Sequence, residues 1–208
     1  MVKVFTRPDK KYSEQEVKTL VKVICHQNIV RLLGTFYFED GTDAMRSGYV
    51  MEFMANGSLS AVIHDLSIRY NDNQVYSWIQ QAGRGIAYLH NQNIIHRDVN
   101  TRNMGTIVYM APEVINDEGV NSAADVYSLG ISTKPFYEHN SLSAFSLGIS
   151  IINGTRPKIE LRMEEEMKNL ILRSLEAQSK LRPKANDFTT IAVKLKSETN
   201  VSSNAPKA

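Results

Sequence analysis

Apolar residues recur at three- and four-residue steps through Val75, Trp78, Ile79, Ala82, Ile86 and Leu89. That spacing belongs to a helix that buries one stripe and turns its other faces to water, and it predicts a long helix ending near Asn91. Val17, Leu20, Val21 and Ile24 predict a shorter amphipathic helix upstream. Around it lie runs rich in β-branched and aromatic residues, which favour extended backbone: Val2 to Phe5, Ile29 to Phe38 and Gly48 to Met54 are predicted strands. The polar run Glu39 to Ser47 then becomes a hairpin loop. Asn56-Gly57-Ser58 supplies a turn, with Ser58 placed to cap a helix over Leu59 to His64. Beyond the long helix, Asn93-Ile94-Ile95 is strand-like, and further helices are predicted over Ala123 to Ile131, Ser141 to Ile152, Glu164 to Leu175 and Asn186 to Lys196, the last favoured by Asp187 at its start. The segment from Ser197 is polar and predicted disordered.

Strands with one helix, followed by helices alone, predict an α+β chain with a reduced β-bearing lobe over residues 1–54, a helical lobe over 55–196 and a tail over 197–208. A cleft between the lobes is the expected ligand site. Apolar residues make up 42% of the 208, enough for a real core. Lysine and arginine number 24 against 22 acidic residues, a net charge of +2 that leaves no excess to neutralise a phosphate backbone, so nucleic acid is not an expected partner. The first ten residues carry charges and Pro8 where a signal peptide needs an unbroken apolar stretch. With a lone Cys25 and no apolar run of membrane-spanning length, the expected location is cytoplasmic.

Candidate chemistry concentrates in His96-Arg97-Asp98-Val99-Asn100-Thr101-Arg102-Asn103, trailed closely by Gly105-Thr106-Ile107-Val108-Tyr109-Met110-Ala111-Pro112-Glu113. The first stretch matches H-R-D-x-x-x-x-N and the second carries A-P-E, in the order found in protein kinases. The chain therefore resembles the protein kinase superfamily, from Val2 to about Leu195. Within it, Val50-Met51-Glu52-Phe53, Gly57-Ser58-Leu59, Ile86-Ala87-Tyr88-Leu89-His90, Lys134-Pro135-Phe136 and Asn153-Gly154-Thr155-Arg156-Pro157 are similar to the transforming-growth-factor-β-activated group of MAP kinase kinase kinases.

The resemblance implies a bilobal kinase-like fold and ATP-dependent phosphoryl transfer to serine or threonine of a protein partner. It makes Asp98 the residue that orients the acceptor hydroxyl, with His96 and Arg97 shaping its loop and Asn103 holding Mg²⁺. Thr106 is implied to touch Asp98. Lys3 is implied to grip the nucleotide phosphates with Glu16 as its helix partner. Met51, Glu52 and Met54 form the implied hinge, the Glu52 carbonyl and Met54 amide meeting an adenine edge. Asp125 braces the catalytic loop, and Glu113 pairs with Arg182.

Part of the machine is missing. A D-F-G metal motif and an activation segment are expected between Asn103 and A-P-E, yet Met104 alone separates Asn103 from Gly105. The glycine-rich phosphate cover that the resemblance implies ahead of the lysine strand is expected to be absent as well. The helix after Asp125 reads short, which is expected to expose Ile131 or Phe136. Loss of a metal ligand worth about 4 kcal/mol slows transfer on the order of a thousandfold. Two readings stand: a serine/threonine kinase with impaired chemistry, and a non-catalytic pseudokinase or scaffold that binds signalling partners.

Overall fold

A computed structural model describes residues 2–4, 17–23, 26–39, 45–65, 67–100, 106–133, 143–158 and 163–203, and the chain divides into two units, Met1–Ser58 and Leu59–Ala208. In the first unit, β1 (Val2–Val4), β2 (Leu32–Glu39) and β3 (Met45–Met51) form an antiparallel sheet in the order β1-β3-β2. Lys3 lies opposite Tyr49, and Phe36 opposite Gly48. The period-two pattern of β2 keeps Leu32, Gly34 and Phe36 less exposed than Leu33, Thr35 and Tyr37. Phe36 and Phe38 share a face, with ring centroids 5.9 Å apart. Both strands run further into the predicted loop than their sequence suggested, leaving only residues 40–44 between them, outside the described set. Helix α1 (residues 17–22) ends at Val23, which is buried, whereas Val21 is 50% exposed. Of the predicted stripe, Val17 and Leu20 are half-buried, Val21 turns outward, and Ile24 lies outside the described residues.

The second unit is helical: α2 (Leu59–His64), α3 (Asp72–Asn91), α4 (Pro112–Ile115), α5 (Ser122–Thr133), α6 (Ala144–Ile152), α7 (Glu165–Ser174) and α8 (Ala185–Ser203). α3 starts earlier than its apolar pattern because Asn71 and Gln74 form a reciprocal cap: the Asn71 side chain accepts from the Gln74 amide at 3.0 Å, and the Gln74 side chain accepts from the Asn71 amide at 2.9 Å. Tyr76, Ile79, Gly83, Ile86 and Leu89 are its buried positions, and α8 crosses closely at Gly83. A Cβ there would stand 2.9 Å from Thr189 Oγ1 and 3.1 Å from the Ala185 carbonyl, so glycine sets that approach.

The predicted tail from Ser197 is corrected: α8 continues to Ser203. Asp187 secures its start by accepting from the Lys184 amide at 2.8 Å, and Phe188, Ala192 and Leu195 bury its inner face. Its polar continuation is held within the helix and against α3. Ser197 Oγ donates to the Lys194 carbonyl and Thr199 Oγ1 to the Leu195 carbonyl, while Lys196 Nζ reaches Gln80 Oε1 at 3.2 Å. Composition alone hid these partners.

Tyr109, Ala111, Ala124, Tyr127, Ile131, Leu147, Ile151 and Leu175 form the central core around α5. Ile131, expected to be exposed, is fully buried there, because α5 is enclosed by α6, α7 and the Thr106–Tyr109 turn. Phe136 and the rest of the Lys134-Pro135-Phe136 motif lie outside the described residues. α6 begins at Ala144, not Ser141, since Ser143 is its cap and accepts from the Ser146 amide at 3.1 Å. Among the described residues no helix is long and apolar enough to cross a membrane.

Candidate active site

Asn93-Ile94-Ile95, predicted strand-like, is an irregular connection out of α3. Asn93 takes a left-handed φ of 57° and the Ile94 amide bonds back to the Leu89 carbonyl at 2.9 Å, closing the helix end and turning the chain into the candidate loop. Asp125 of α5, 1% exposed, organises that loop. Its Oδ2 accepts from the His96 amide and its Oδ1 from the Arg97 amide, both at 2.8 Å. Such a buried carboxylate needs its charge met by donors, and the loop backbone provides them. Arg97 has a φ of 68°, left-handed backbone that a non-glycine residue adopts only when its surroundings impose it. The two amide bonds hold the backbone just ahead of that residue's φ torsion, and the Asp98 amide, donating to His96 Nδ1, holds it just beyond.

The Asp98 amide donates to His96 Nδ1 at 3.2 Å, and Asn100 Nδ2 donates to Asp98 Oδ1 at 2.6 Å and to the Asp98 carbonyl at 3.2 Å. Asp98 is exposed with one carboxylate oxygen already engaged. In the loop motif Asn100 occupies an unassigned position, and its hold on the carboxylate was not foreseen.

Arg182 fixes the neighbouring turn. Its side chain is 0% exposed and that of Glu113 is 11% exposed, and two parallel bonds of 2.6 and 2.7 Å join them. The guanidinium also donates to the carbonyls of Ala123, Glu176 and Ala177. The pair expected between Glu113 and Arg182 is thus present and ties α4 to the turn before α8. Sequence reading missed Tyr127, whose buried ring has the Arg182 guanidinium carbon 5.0 Å and the Arg156 guanidinium carbon 5.5 Å from its centroid. Burial pushes the Tyr127 hydroxyl up to about 12 despite these cations.

Between loop and turn, within the second unit, lies a small open hollow lined among others by Arg97, Asp98, Met110, Val114, Val120 and Ala124. Its carboxylate and cation sit beside an apolar wall, a composition suited to an amphipathic side chain rather than to a whole nucleotide.

The other candidate residues are less fully placed. Asn103 and Glu16 lie outside the described residues, as do the side chains of Lys3 and Thr106; the Lys3 backbone is in β1 and Thr106 opens a 3₁₀ turn. Met51 ends β3, and Glu52 comes next with both its amide and its carboxylate tied to Arg31, the amide donating to the Arg31 carbonyl at 3.0 Å and Oε1 accepting from the Arg31 amide at 2.8 Å. The Met54 carbonyl accepts from the Gly57 amide at 3.1 Å, closing the turn that the sequence predicted.

Magnesium chemistry needs hard oxygen donors, in practice carboxylates working with substrate phosphates. Asp98 is the only carboxylate between Ile94 and Met110, and Asn100 already holds one of its oxygens. Asn103 offers a neutral amide. This donor set does not fit the ion as kinases bind it.

Comparison with known proteins agrees with the geometry. The family described as protein tyrosine and serine/threonine kinase matches in two stretches, residues 1–105 and 104–195, which meet where the loop joins the turn. Human mitogen-activated protein kinase kinase kinase 5 is 28% identical over 90% of this chain and 16% of its own length. Its aligned span is 234 residues, longer than the 208 of this chain, so it carries residues that this chain lacks. The ANP1 mitogen-activated protein kinase kinase kinase of Arabidopsis thaliana is 26% identical over 84% of the chain and 31% of its own length. The mom-4 mitogen-activated protein kinase kinase kinase of Caenorhabditis briggsae is 31% identical over 56% and 26% respectively. The chain spans well under half the length of these relatives. With a sheet-bearing unit, a helical unit and a family match along nearly all of its residues, the chain belongs to the protein kinase family.

Proposed function

We propose that this chain is the kinase portion of a MAP kinase kinase kinase-like serine/threonine kinase, acting in cytoplasmic signalling, with phosphoryl transfer severely impaired. The transforming-growth-factor-β-activated group remains the proposed subgroup. Its lobes are proposed to divide near Met54, with the helical one running to α8. Asp98 is the proposed base toward a serine or threonine hydroxyl, with His96 and Arg97 shaping its loop and Thr106 supporting it. Lys3, Glu16, Met51, Glu52 and Met54 are the proposed nucleotide contacts, and the hollow beside Asp98 takes a side chain of the protein partner.

One observation carries the reading: Asp125 holds the amides of His96 and Arg97, so the loop bearing Asp98 is assembled, while the sequence goes from Asn103 to Thr106 with no metal carboxylate between. Kinases act mainly by positioning and charge stabilisation, so an assembled loop without its metal clamp retains geometry and loses rate. The same deficit supports a second reading, a pseudokinase or scaffold that binds signalling partners. Melting temperature with ATP tests the proposal: any stabilisation should be equal in Mg²⁺ and in EDTA. A larger shift in Mg²⁺ would show a metal clamp that this reading denies.

A further inference from the structure

β2 is the edge of its sheet. Among the described residues β3 is its only hydrogen-bonded neighbour, and no turn or loop backbone bond reaches Leu32 to Glu39 from elsewhere. Natural sheets blunt such an edge with lysine, proline or a bulge, because its unpaired backbone groups otherwise template another strand. β2 carries neither lysine nor proline. Its one bulge lies at the start, between Leu32 and Gly34, and Gly34 to Glu39 run in unbroken register. Leu33 is 55% and Tyr37 66% exposed, and Thr35 between them is exposed as well. Arg31 before the strand and Glu39 at its end are exposed charges of opposite sign.

We propose that β2 pairs antiparallel with β2 of a second copy of this chain, about a two-fold axis at Thr35. A two-fold contact must be self-complementary, and this register is. Thr35 faces Thr35 of the second copy, and each Leu33 faces the other copy's Tyr37, a cross-strand match of exposed apolar groups. Each Gly34 faces the other copy's Phe36. A Cβ at Gly34 would meet nothing within 4 Å, so there is room for the ring, and the sheet already makes the same match where Phe36 lies opposite Gly48. At the ends each Arg31 falls opposite the other copy's Glu39, and the long arginine side chain spans the offset that the bulge adds. A parallel pairing would set like charges together, and an axis one residue later, at Phe36, would set Glu39 against Leu33. One strand from each side is a small interface, under the roughly 1,200 Å² of a stable one, so association should be weak, with a dissociation constant of about 10–100 µM.

This contact is independent of phosphoryl transfer, and sedimentation equilibrium of the full chain tests it. Between about 5 and about 200 µM the mass should rise from 23.5 kDa toward twice that value. Thr35→Lys sets two cations against each other on the axis and should weaken association at least about tenfold; Thr35→Glu should do the same with two carboxylates. An equimolar mixture of the two variants should recover it, because a cation then meets a carboxylate. A single-chain mass throughout, association that survives Thr35→Lys unchanged, or a mixture that stays monomeric would each overturn the proposal, the second by placing the contact on another surface. If either variant fails to melt cooperatively, salt decides: association of the original chain should weaken severalfold between about 0.05 and about 0.5 M NaCl as the Arg31 and Glu39 pairs are screened, and Arg31→Ala should remove that dependence. Salt-independent association would then overturn it.

Discussion

Arg182 is buried in the helical unit with its guanidinium fully engaged, and Glu113→Gln is the perturbation that shows what this is worth. All five guanidinium N–H positions are used: two on the Glu113 carboxylate at 2.6 and 2.7 Å, and one each on the carbonyls of Ala123, Glu176 and Ala177. Replacing the carboxylate with a carboxamide of the same size leaves a cation in a 0% exposed site with neutral partners only, and turns one amide donor toward a guanidinium donor. Breaking a buried pair by losing one partner costs about 3–5 kcal/mol, and exposure of 11% at Glu113 puts this case near the lower end, about 3 kcal/mol. With a urea slope of about 2 kcal/mol/M, the unfolding midpoint should fall by about 1.5 M. Arg182→Leu should cost more, about 5 kcal/mol, because three backbone carbonyls lose their donor together with the carboxylate. Urea unfolding monitored by far-ultraviolet circular dichroism measures both. A Glu113→Gln loss under about 0.5 kcal/mol would be incompatible with these values, since it would mean that desolvation had already cancelled the pair.

Other perturbations test separate contacts. The Tyr127 hydroxyl is buried with no hydrogen-bond partner among the described residues, so Tyr127→Phe should leave stability at pH 7 unchanged or raise it by about 1 kcal/mol, as thermal melting would show. Its pH dependence comes from an upward shift: from 10.0 to about 12, burial favours the neutral phenol, so this contribution is complete below pH 10 and is lost as pH rises through 12. The chain should therefore lose part of its stability between those values, and Tyr127→Phe should lose less. A Cβ added at Gly130 would collide with Ser174 Oγ and stand 3.1 Å from Ser174 Cβ in a fully buried contact of α5 with α7. Gly130→Ala should cost about 2–3 kcal/mol by urea unfolding, and a neutral result would mean that the helices separate more easily than this packing allows.

Much of this arrangement could be read from the chain before any coordinates. The catalytic-loop letters, the Glu113 and Arg182 pair and the end of α3 were legible because each rests on a local motif or on an apolar period. Legibility failed where the cause lay elsewhere in the fold. Ser197 to Ser203 reads as a polar tail, but serine and threonine hydroxyls bond back within α8, and Lys196 finds Gln80 on α3. Val21 and Val23 are equally apolar, and only packing decides that Val23 is the buried one. Ile131 reads as exposed when α5 is judged by length, whereas α6 and α7 enclose it. His90 reads only as the last letter of the Ile86-to-His90 resemblance, and its contact with Asp125 shows only in the fold. The grip of Asn100 on Asp98 depends on a turn that no spacing rule specifies.

On the proposed reading, the chain keeps the loop that orients a hydroxyl while lacking the carboxylate that clamps the metal. Transfer of radiolabelled phosphate from ATP to a serine- and threonine-bearing protein tests it head-on, with Asp98→Ala as the control and a cooperative melt confirming that both chains are folded. Incorporation should not rise above that of Asp98→Ala. Turnover that depends on Asp98 would contradict the reading.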